Sequence, residues 1–258
     1  MTEFVIRPIG RVLSPYKTRK DVPPLGGPAV IEVFEEFAPG LLKLEKHSHV
    51  WVLAWLDQAE RDRLQVIPRG LPEVIPDNLH GVFAVRSPVR PNPISLTLAQ
   101  IARIDGRRIE LDRLDLADGT PVVDLKPYFV SRDAAYAARN EPIGQPANRE
   151  VLRESLEDQA YRFHGERCPE LRLAVELYTH FRADLLGLIE PQHVEVTLPI
   201  ERSHMADAFI GMARVSLGRG TLRFGSSRQV RLVCERGEVQ YRLNGETFTL
   251  VSSTIGAV

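Results

Sequence analysis

Short apolar runs separated by turn residues fill the first half of the chain and restrict it to a β architecture. The runs lie at 4–12, 29–34, 49–56, 80–85, 94–104, 108–116 and 122–125. Prolines, glycines and the pairs Asp105-Gly106 and Asp118-Gly119 separate them, as is typical of hairpin connections. Seven such strands with little helical periodicity predict a small barrel or a sandwich.

The pattern changes after the segment NEPIGQPAN (140–148), where prolines and a glycine interrupt all periodicity. Beyond it, helical periodicity predicts helices at 149–163, 170–186 and 203–217. Predicted strands follow at 194–198, 229–234, 239–243 and 247–251, the last two joined at Asn244-Gly245. We therefore expect a mainly β domain over 1–140, a linker over 141–149 and an α+β domain over 150–258.

Charge and cysteine content narrow the functional classes. The net charge of −1 provides no global basic field, so contact with RNA would need a local patch, and we expect no DNA partner. The two cysteines, Cys168 and Cys234, supply neither a disulfide framework nor a four-cysteine zinc site. The first residues lack the apolar core of a signal peptide, and no run is long enough to span a bilayer. These features predict a cytoplasmic protein without a membrane partner.

Familiar nucleotide and hydrolase motifs do not occur in the sequence. Gly218-Arg219-Gly220 follows a predicted helix, whereas a dinucleotide-binding loop follows a strand. Neither a Gly-x-Ser-x-Gly elbow nor a His-Glu-x-x-His helix is found. The sequence thus indicates neither a Rossmann fold nor a P-loop.

Two histidine-containing segments raise the question of a metal. His47 and His49 would share one face of a strand, but no third ligand lies nearby in the sequence. His164 and Cys168 form a possible two-ligand corner, which the glycine and proline beside them make more typical of a structural turn. We expect no metal site.

The segment RSPVRPNPI (86–94) combines three prolines with Arg86, Arg90 and Asn92. Proline fixes its own φ and restricts the residue before it, so the segment is stiff and cannot be a helix or a central strand. Such a loop could present two guanidinium groups and an amide to a ligand, or it could be a turn that carries arginines.

A second polar stretch, DGTPVVDLKPY (118–128), begins with a turn signature. Asp124 and Lys126 would share one face of the strand that follows. By residue type alone, this stretch is a hairpin turn with a surface charge pair.

Taken together, these motifs resemble a known family. The segments GVFAVRSPVRPNPISL and LDLADGTPVVDLKPY, with IGRVLSPYKTRKDVPPLGG and KHSHVWVLAWLDQ, resemble the TsaA-like (TrmO, YaeB-like) S-adenosylmethionine-dependent tRNA methyltransferases over residues 4–130. The resemblance implies a small β-barrel that binds S-adenosyl-L-methionine without a Rossmann fold. It also implies a homodimer that methylates N6 of threonylcarbamoyladenosine beside the anticodon of tRNA.

Site residues follow from the resemblance by position. The implied cofactor contacts are Leu25, Gly26, Gly27, Asp57, Gln58, Arg86, Leu96, Asp118, Gly119, Thr120 and Pro121, with Arg90, Asn92 and Pro93 shaping the adjoining pocket. Candidates for substrate contact or proton transfer are Asp124, Lys126 and Tyr128. The chain departs from the family pattern at Val85, Ser95 and Asp57, which leaves the arginine and asparagine set intact.

The second half resembles, more faintly, the E-type component of formylmethanofuran dehydrogenase through FHGERCPELRLAVEL and MADAFIGMARVSLGRGTLRF. Met205 and Val215 stand where that family has cysteines, and Glu170 replaces a glycine. Because thiolates are the usual soft ligands, these changes predict that the metal site is lost. The domain would then serve as a scaffold, a dimerisation unit or a cap that selects substrate.

Three functions fit these observations. The first is a tRNA methyltransferase, for which Arg7, Arg11, Lys17, Arg19 and Lys20 could form a phosphate-binding strip or merely a solvated face. The second is a methyltransferase for a small molecule. The third is a protein that binds S-adenosylmethionine without turnover.

Overall fold

The structure, a computed structural model, describes residues 4–68, 71, 76–138 and 140–256. The chain divides into two compact units, Met1–Glu141 and Pro142–Val258. Each unit has its own buried core. Within the described residues, no helix combines the length and the apolar character needed to cross a bilayer.

The first unit is a closed antiparallel barrel, which confirms the predicted mainly β domain and selects a barrel over a sandwich. The strands of the first unit are β1 (Gly10–Leu13), β2 (Gly27–Val33), β3 (His49–Trp55), β4 (Gln65–Val66), β5 (His80–Gly81), β6 (Ile94–Asp105), β7 (Arg108–Leu114) and β8 (Pro121–Pro127). Six of them close the barrel in the order β1-β2-β7-β6-β3-β8. Closure removes free sheet edges, since β1 pairs with both β2 and β8.

Alternation along β3 shows how the barrel is filled. Val50, Val52 and Ala54 point inward and are fully buried, whereas Trp51 and Trp55 face outward and are half-buried. The period of two in HVWVLAW therefore separates a dry interior from an outer face that carries large aromatic side chains.

Two strand predictions in this unit are wrong in part. The run 4–12 contributes only its end to β1, because Pro8 has no N–H for a ladder. Of the run 80–85, only two residues pair, and their partner is the short β4 outside the barrel. The carbonyl groups of Val82 and Val85 accept hydrogen bonds from the Arg90 side chain and are not part of a strand ladder. The unit also contains short helical segments that the sequence did not predict, at Glu35–Leu41, Leu44–Lys46, Pro76–Asn78 and α1 (Val130–Asp133).

The second unit is α+β, as predicted. It comprises α2 (Arg149–His164), α3 (Pro169–Thr179), a π-helical segment (His180–Leu185), β9 (Val194–Pro199), α4 (Ser203–Ala213), β10 (Leu222–Gly225), β11 (Gln229–Cys234), β12 (Gly237–Asn244) and β13 (Thr247–Ser253). The sheet order is β10-β9-β11-β12-β13, with β10 parallel to β9. The predicted helix 203–217 ends four residues early because Arg214 adopts a left-handed φ of 54°.

Local chemistry sets the helix ends of this unit. Asn148 caps α2 by accepting the N–H of Val151 at 3.0 Å, and Gly165 ends the helix with φ 87°. A Cβ at Gly211 would lie 2.6 Å from the carbonyl oxygen of Gln159, so α4 and α2 approach each other at a point where only glycine fits. The two helices therefore pack closely where Gly211 of α4 crosses the turn of α2 that contains Gln159.

Candidate cofactor and substrate site

Strand order brings most of the predicted cofactor residues to one end of the barrel, here called the loop end. At this end β1, β3 and β7 finish and β2, β6 and β8 begin, as the pairs Gly27↔Leu114 and Trp55↔Ile94 show. The connections 14–26, 56–64, 82–93 and 115–120 therefore meet here. The loop end carries the predicted residues at 25–27, 57–58, 90–93 and 118–121.

Arg90 stiffens the proline-rich segment from within. Its guanidinium donates to the carbonyl oxygens of Ser87, Val82 and Val85 at 2.9, 2.6 and 2.5 Å. The buried Pro93 anchors the segment to the end of β3 by accepting the N–H of Leu56 at 2.8 Å. Arg90 thus shapes the loop through its own backbone and has few donors left for a ligand.

Arg86 is in the opposite situation. Its side chain is exposed, and Nη1 lies 3.5 Å from the carbonyl oxygen of Leu96, at the outer limit of a hydrogen bond. Leu96 itself is 44% exposed on the outer face of β6. Arg86 can therefore turn towards an anionic group at little cost, directly above an apolar surface.

The turn at Asp118 is tied to the segment that follows β1. Its carboxylate accepts the N–H of Ser14 at 3.1 Å and the ammonium of Lys17 at 2.7 Å. The hydrogen bond from Lys17, followed by that from Ser14, lowers the pKa of Asp118 below its usual value. Gly119 has φ 77°, and Thr120 Oγ1 donates to Ala117 at 2.7 Å. The turn is preformed.

Packing explains the glycines at 26 and 27. Gly26 has φ 77°, and a Cβ there would lie 2.7 Å from the backbone of Leu114. A Cβ on Gly27 would collide with the hydroxyl of Tyr16. Gly26 therefore requires glycine for closure of the loop whether or not a ligand contacts it, whereas a side chain at position 27 would have to displace Tyr16.

Asp124, Lys126 and Tyr128 lie away from the loop end, along the outer side of β8 and just beyond it. Lys126 Nζ is 2.7 Å from Asp124 Oδ2, with side chains 63% and 42% exposed. Leu53 pairs with Asp124 on one side and with Leu96 on the other, so these three residues form a row across β8, β3 and β6. Neighbouring strands lie about 4.8 Å apart, which puts Asp124 about 10 Å from Leu96.

We call this surface the outer β3 face; it carries Leu53, Leu96, Leu98, Trp51, Asp124 and Lys126. Tyr128 extends it, with its ring 6.0 Å from that of Trp51 and 6.2 Å from that of His49. Arg86 reaches the same face through Leu96. The structure thus places Arg86, Leu96 and Asp124 on one surface. The glycine loop at the start of β2 lies three strands away around the barrel.

A cavity of about 280 Å³ opens beside this face near the loop end. It is lined by Phe4, Ile6, Pro8, Trp55, Arg61, Pro121 and Val123. Arg61 stacks over Trp55 at 5.4 Å and donates to the carbonyl oxygen of Pro91 at 2.9 Å. Sequence reasoning missed Trp55 and Arg61, although a tryptophan on the outward face of an alternating strand is a visible signal. A wider concavity of about 620 Å³, which includes Ser14, Pro28 and Asp118, lies along β1, β2 and β7.

The expected strand-face pair is not formed, because His47 precedes β3 and only His49 lies in it, and neither histidine gathers further ligands among the described residues. His47 packs edge-on against Phe129 at 5.3 Å between ring centroids, and His49 Nδ1 lies 2.9 Å from Ser48 Oγ.

These features define the first unit as a small β-barrel domain that is not of the Rossmann type and that carries a stiff polar loop end. The profile of the tRNA-methyltransferase O N-terminal domain family matches residues 11–134. The chain belongs to this TrmO, or TsaA-like, family.

Relatives support this assignment. An Archaeoglobus fulgidus protein named S-adenosyl-L-methionine-binding protein is 43% identical over 129 residues, covering 48% of this chain and 89% of that protein. A second protein of that organism, named probable S-adenosyl-L-methionine-binding protein, is 40% identical over 178 residues, or 67% of this chain. The chain spans 46% of the length of this second relative.

A solved structure, the crystal structure of TrmO from Pseudomonas aeruginosa, aligns with a TM-score of 0.44 and 19% identity. The alignment covers 98% of this chain and 99% of that one.

Proposed function

We propose that this chain is an S-adenosyl-L-methionine-dependent methyltransferase that methylates N6 of threonylcarbamoyladenosine beside the anticodon of tRNA. One observation carries the proposal. In a chain of the TrmO family, Arg86, Leu96 and Asp124 share the outer β3 face beside a preformed loop end. The tRNA substrate would place the protein in the cytoplasm.

The cofactor would bind where charge and apolar surface meet. The exposed guanidinium of Arg86 suits the carboxylate of the methionine moiety, because paired N–H donors match a carboxylate. Leu96 and Leu53 would flank the methyl group. Asp57, Gln58, Asn92 and the turn 118–121 would contribute polar contacts, while Arg90 and Pro93 would keep the loop in shape.

Methyl transfer would proceed by in-line attack of the substrate nitrogen on the sulfonium methyl. The new N–C bond would form as the C–S bond breaks. The electron pair of the broken C–S bond would stay on sulfur, which gives S-adenosylhomocysteine. The nitrogen must lose a proton, and Asp124 is our candidate to accept it. Lys126, 2.7 Å away, would hold the carboxylate in place, and Tyr128 would contact the base.

Contact with tRNA would rest on a smaller basic strip than the sequence suggests. Arg11 is bound to Glu32 at 2.7 Å, and Lys17 is bound to Asp118 at 2.7 Å. Arg7, Arg19 and Lys20 are exposed on the same segment and would supply most of the phosphate contacts.

A homodimer would account for the separation of the predicted cofactor residues. The glycine loop lies on the opposite side of the barrel from β3, so one copy alone would have to spread the ligand across the barrel end. A second copy packed beside Leu96, at the β6 side of the outer β3 face, would bring another loop end to Arg86 and would leave Asp124 open to the substrate.

The test is transfer of labelled methyl from S-adenosylmethionine to tRNA from a strain lacking this gene, followed by nucleoside mass spectrometry. We expect methylated threonylcarbamoyladenosine. Asp124→Asn should keep cofactor affinity and lower the transfer rate at least about 100-fold, as expected for loss of a general base. The matched control is Asp105→Asn, which breaks the exposed Asp105–Arg103 pair at the far end of β6 and should transfer normally.

The alternative is a protein that binds S-adenosylmethionine without turnover; the names of the two Archaeoglobus fulgidus relatives state binding alone. Cofactor binding by calorimetry without transfer to any tRNA would support this alternative or a small-molecule substrate. Normal transfer by Asp124→Asn would remove that residue from the mechanism while leaving the activity in place.

A further inference from the structure

Four side chains with metal-binding chemistry converge in the second unit, where three helix ends meet. His164 is the last residue of α2, Glu166 lies in the following turn, Cys168 caps α3, and His204 is the second residue of α4. One potential ligand atom from each lies within 4.8 Å of all the others.

Five of the six separations among the four ligand atoms lie within a few tenths of an ångström of the edges of a tetrahedron around zinc, and the sixth, between Cys168 and Glu166, is at most 4.8 Å. His164 Nε2 lies 3.4 Å from Cys168 Sγ, 3.1 Å from His204 Nδ1 and 3.4 Å from Glu166 Oε1. His204 Nδ1 lies 3.7 Å from Cys168 Sγ and 3.4 Å from Glu166 Oε1. Zinc bonds of about 2.0–2.1 Å to nitrogen or oxygen and about 2.3 Å to sulfur give tetrahedral edges of about 3.3–3.6 Å.

The hydrogen bond on the far side of His164 fixes which of its nitrogens faces the cluster. Nδ1 lies 3.1 Å from Asp207 Oδ2, and a carboxylate accepts the N–H of that nitrogen. Nε2 then presents its lone pair to the cluster, and the ring is held there because the side chain is only 6% exposed. A carboxylate behind a metal-binding histidine is the usual second layer of a zinc site.

Charge balance also favours a divalent cation. A Cys168 thiolate and the Glu166 carboxylate carry two negative charges, and the two imidazoles are neutral as ligands, so one divalent ion neutralises the set. Cys168 Sγ also accepts the N–H of Leu171 at 3.3 Å, at a helix N-terminus that favours negative charge. One thiolate, two imidazoles and a carboxylate in a tetrahedron are typical of zinc.

We propose that His164, Glu166, Cys168 and His204 bind one Zn²⁺, with Asp207 orienting His164. Four protein ligands make this a structural site that ties together the ends of α2, α3 and α4. The proposal reverses our expectation that the chain has no metal. That expectation looked for cysteines at 205 and 215, where Met205 and Val215 are buried in the core of the unit. The ligand that completes the set comes instead from His204, 36 residues after Cys168.

The test measures zinc in the full-length chain. Protein purified without added chelator is analysed for zinc by mass spectrometry. Chelator-stripped protein is then titrated with Zn²⁺ against a chromogenic chelator, and separately with Co²⁺. We expect one zinc per chain, a visible spectrum of tetrahedral Co²⁺ with a thiolate charge-transfer band, and an unfolding temperature that rises on zinc addition.

Variants separate the proposed site from incidental binding. Cys168→Ser and His204→Gln should each weaken zinc binding more than about 100-fold, and Asp207→Asn about 10- to 100-fold. The matched controls Cys234→Ser and His193→Gln change the other cysteine and an exposed histidine of the same unit, and should leave affinity within about threefold.

Circular dichroism of each variant without metal shows whether it is folded, and so distinguishes a folding defect from the loss of a zinc ligand. His204 is half-exposed, so its glutamine variant tests the site with little risk to the core. Zinc affinity that is the same in His204→Gln, Cys168→Ser and the unaltered chain would overturn the proposal. So would a stripped chain that takes up no zinc, or a Co²⁺ complex without thiolate bands.

Discussion

Arg90→Ala tests whether the proline-rich segment is held by this side chain or by its prolines alone. The substitution removes donors from three carbonyl groups, those of Ser87, Val82 and Val85, at 2.5–2.9 Å. Hydrogen bonds to a charged group contribute about 1.5–3 kcal/mol each. Because the segment is only partly buried, water can replace some of them, and we expect a total loss of about 2–4 kcal/mol. For a unit that spans Met1–Glu141, this corresponds to a fall in Tm of roughly 6–15 °C.

Tryptophan fluorescence follows this unit alone. The two tryptophans of the chain, Trp51 and Trp55, both lie in β3. Urea and thermal unfolding of Arg90→Ala are compared with Arg86→Ala, whose exposed side chain should contribute less than about 0.5 kcal/mol. Arg86→Ala should lower the affinity for S-adenosylmethionine without a change in Tm, whereas Arg90→Ala should lower the affinity and the Tm. Equal midpoints for the two variants would refute the structural role assigned to Arg90.

The remaining predictions concern the second unit. Gly211→Ala should destabilise it by about 1–3 kcal/mol despite the higher helix propensity of alanine, since the new Cβ would lie 2.6 Å from the carbonyl oxygen of Gln159. Calorimetry would measure this as a lower unfolding temperature. The control Gly218→Ala, where a Cβ meets no atom closer than 3.8 Å, should unfold near the temperature of the unaltered chain. Equal unfolding temperatures for the two variants would contradict the close packing of α2 against α4. The hydrogen bond from Arg231, with that from Gln240, lowers the pKa of Glu238 from 4.5 to about 2. A lowered pKa favours the folded state above pH 4.5, and the benefit is lost as pH falls from 4.5 towards 2. Between about pH 2 and 6, the free energy of unfolding of Glu238→Gln should therefore depend less on pH than that of the unaltered chain. If the two plots of free energy against pH are parallel, the assignment of this pKa shift to the folded state is wrong.

Local sequence patterns predicted most of the elements correctly because their causes are local. The alternation in HVWVLAW identifies β3 and its inward residues. Asn148 and Gly165 set the ends of α2 through capping and backbone conformation. Stiff proline turns and the resemblance to the TrmO family likewise depend on contiguous residues, and the family profile confirms that resemblance.

Local sequence patterns did not predict the features that depend on interactions between distant segments. The run 80–85 has the residue types of a strand, yet the Arg90 side chain takes its carbonyl groups. The short parallel strand β10 was missed because only its pairing with β9 defines it.

Contiguous residues are enough to predict the class of this protein: a mainly β domain followed by an α+β domain, with a loop typical of the TrmO family. The folded chain was needed to show that Arg90 holds the loop while Arg86 faces outward, and that His204 joins His164 and Cys168. This division arises because strand periodicity, caps and turns act over a few residues. The partner of a side chain depends on how segments far apart in the sequence pack against each other.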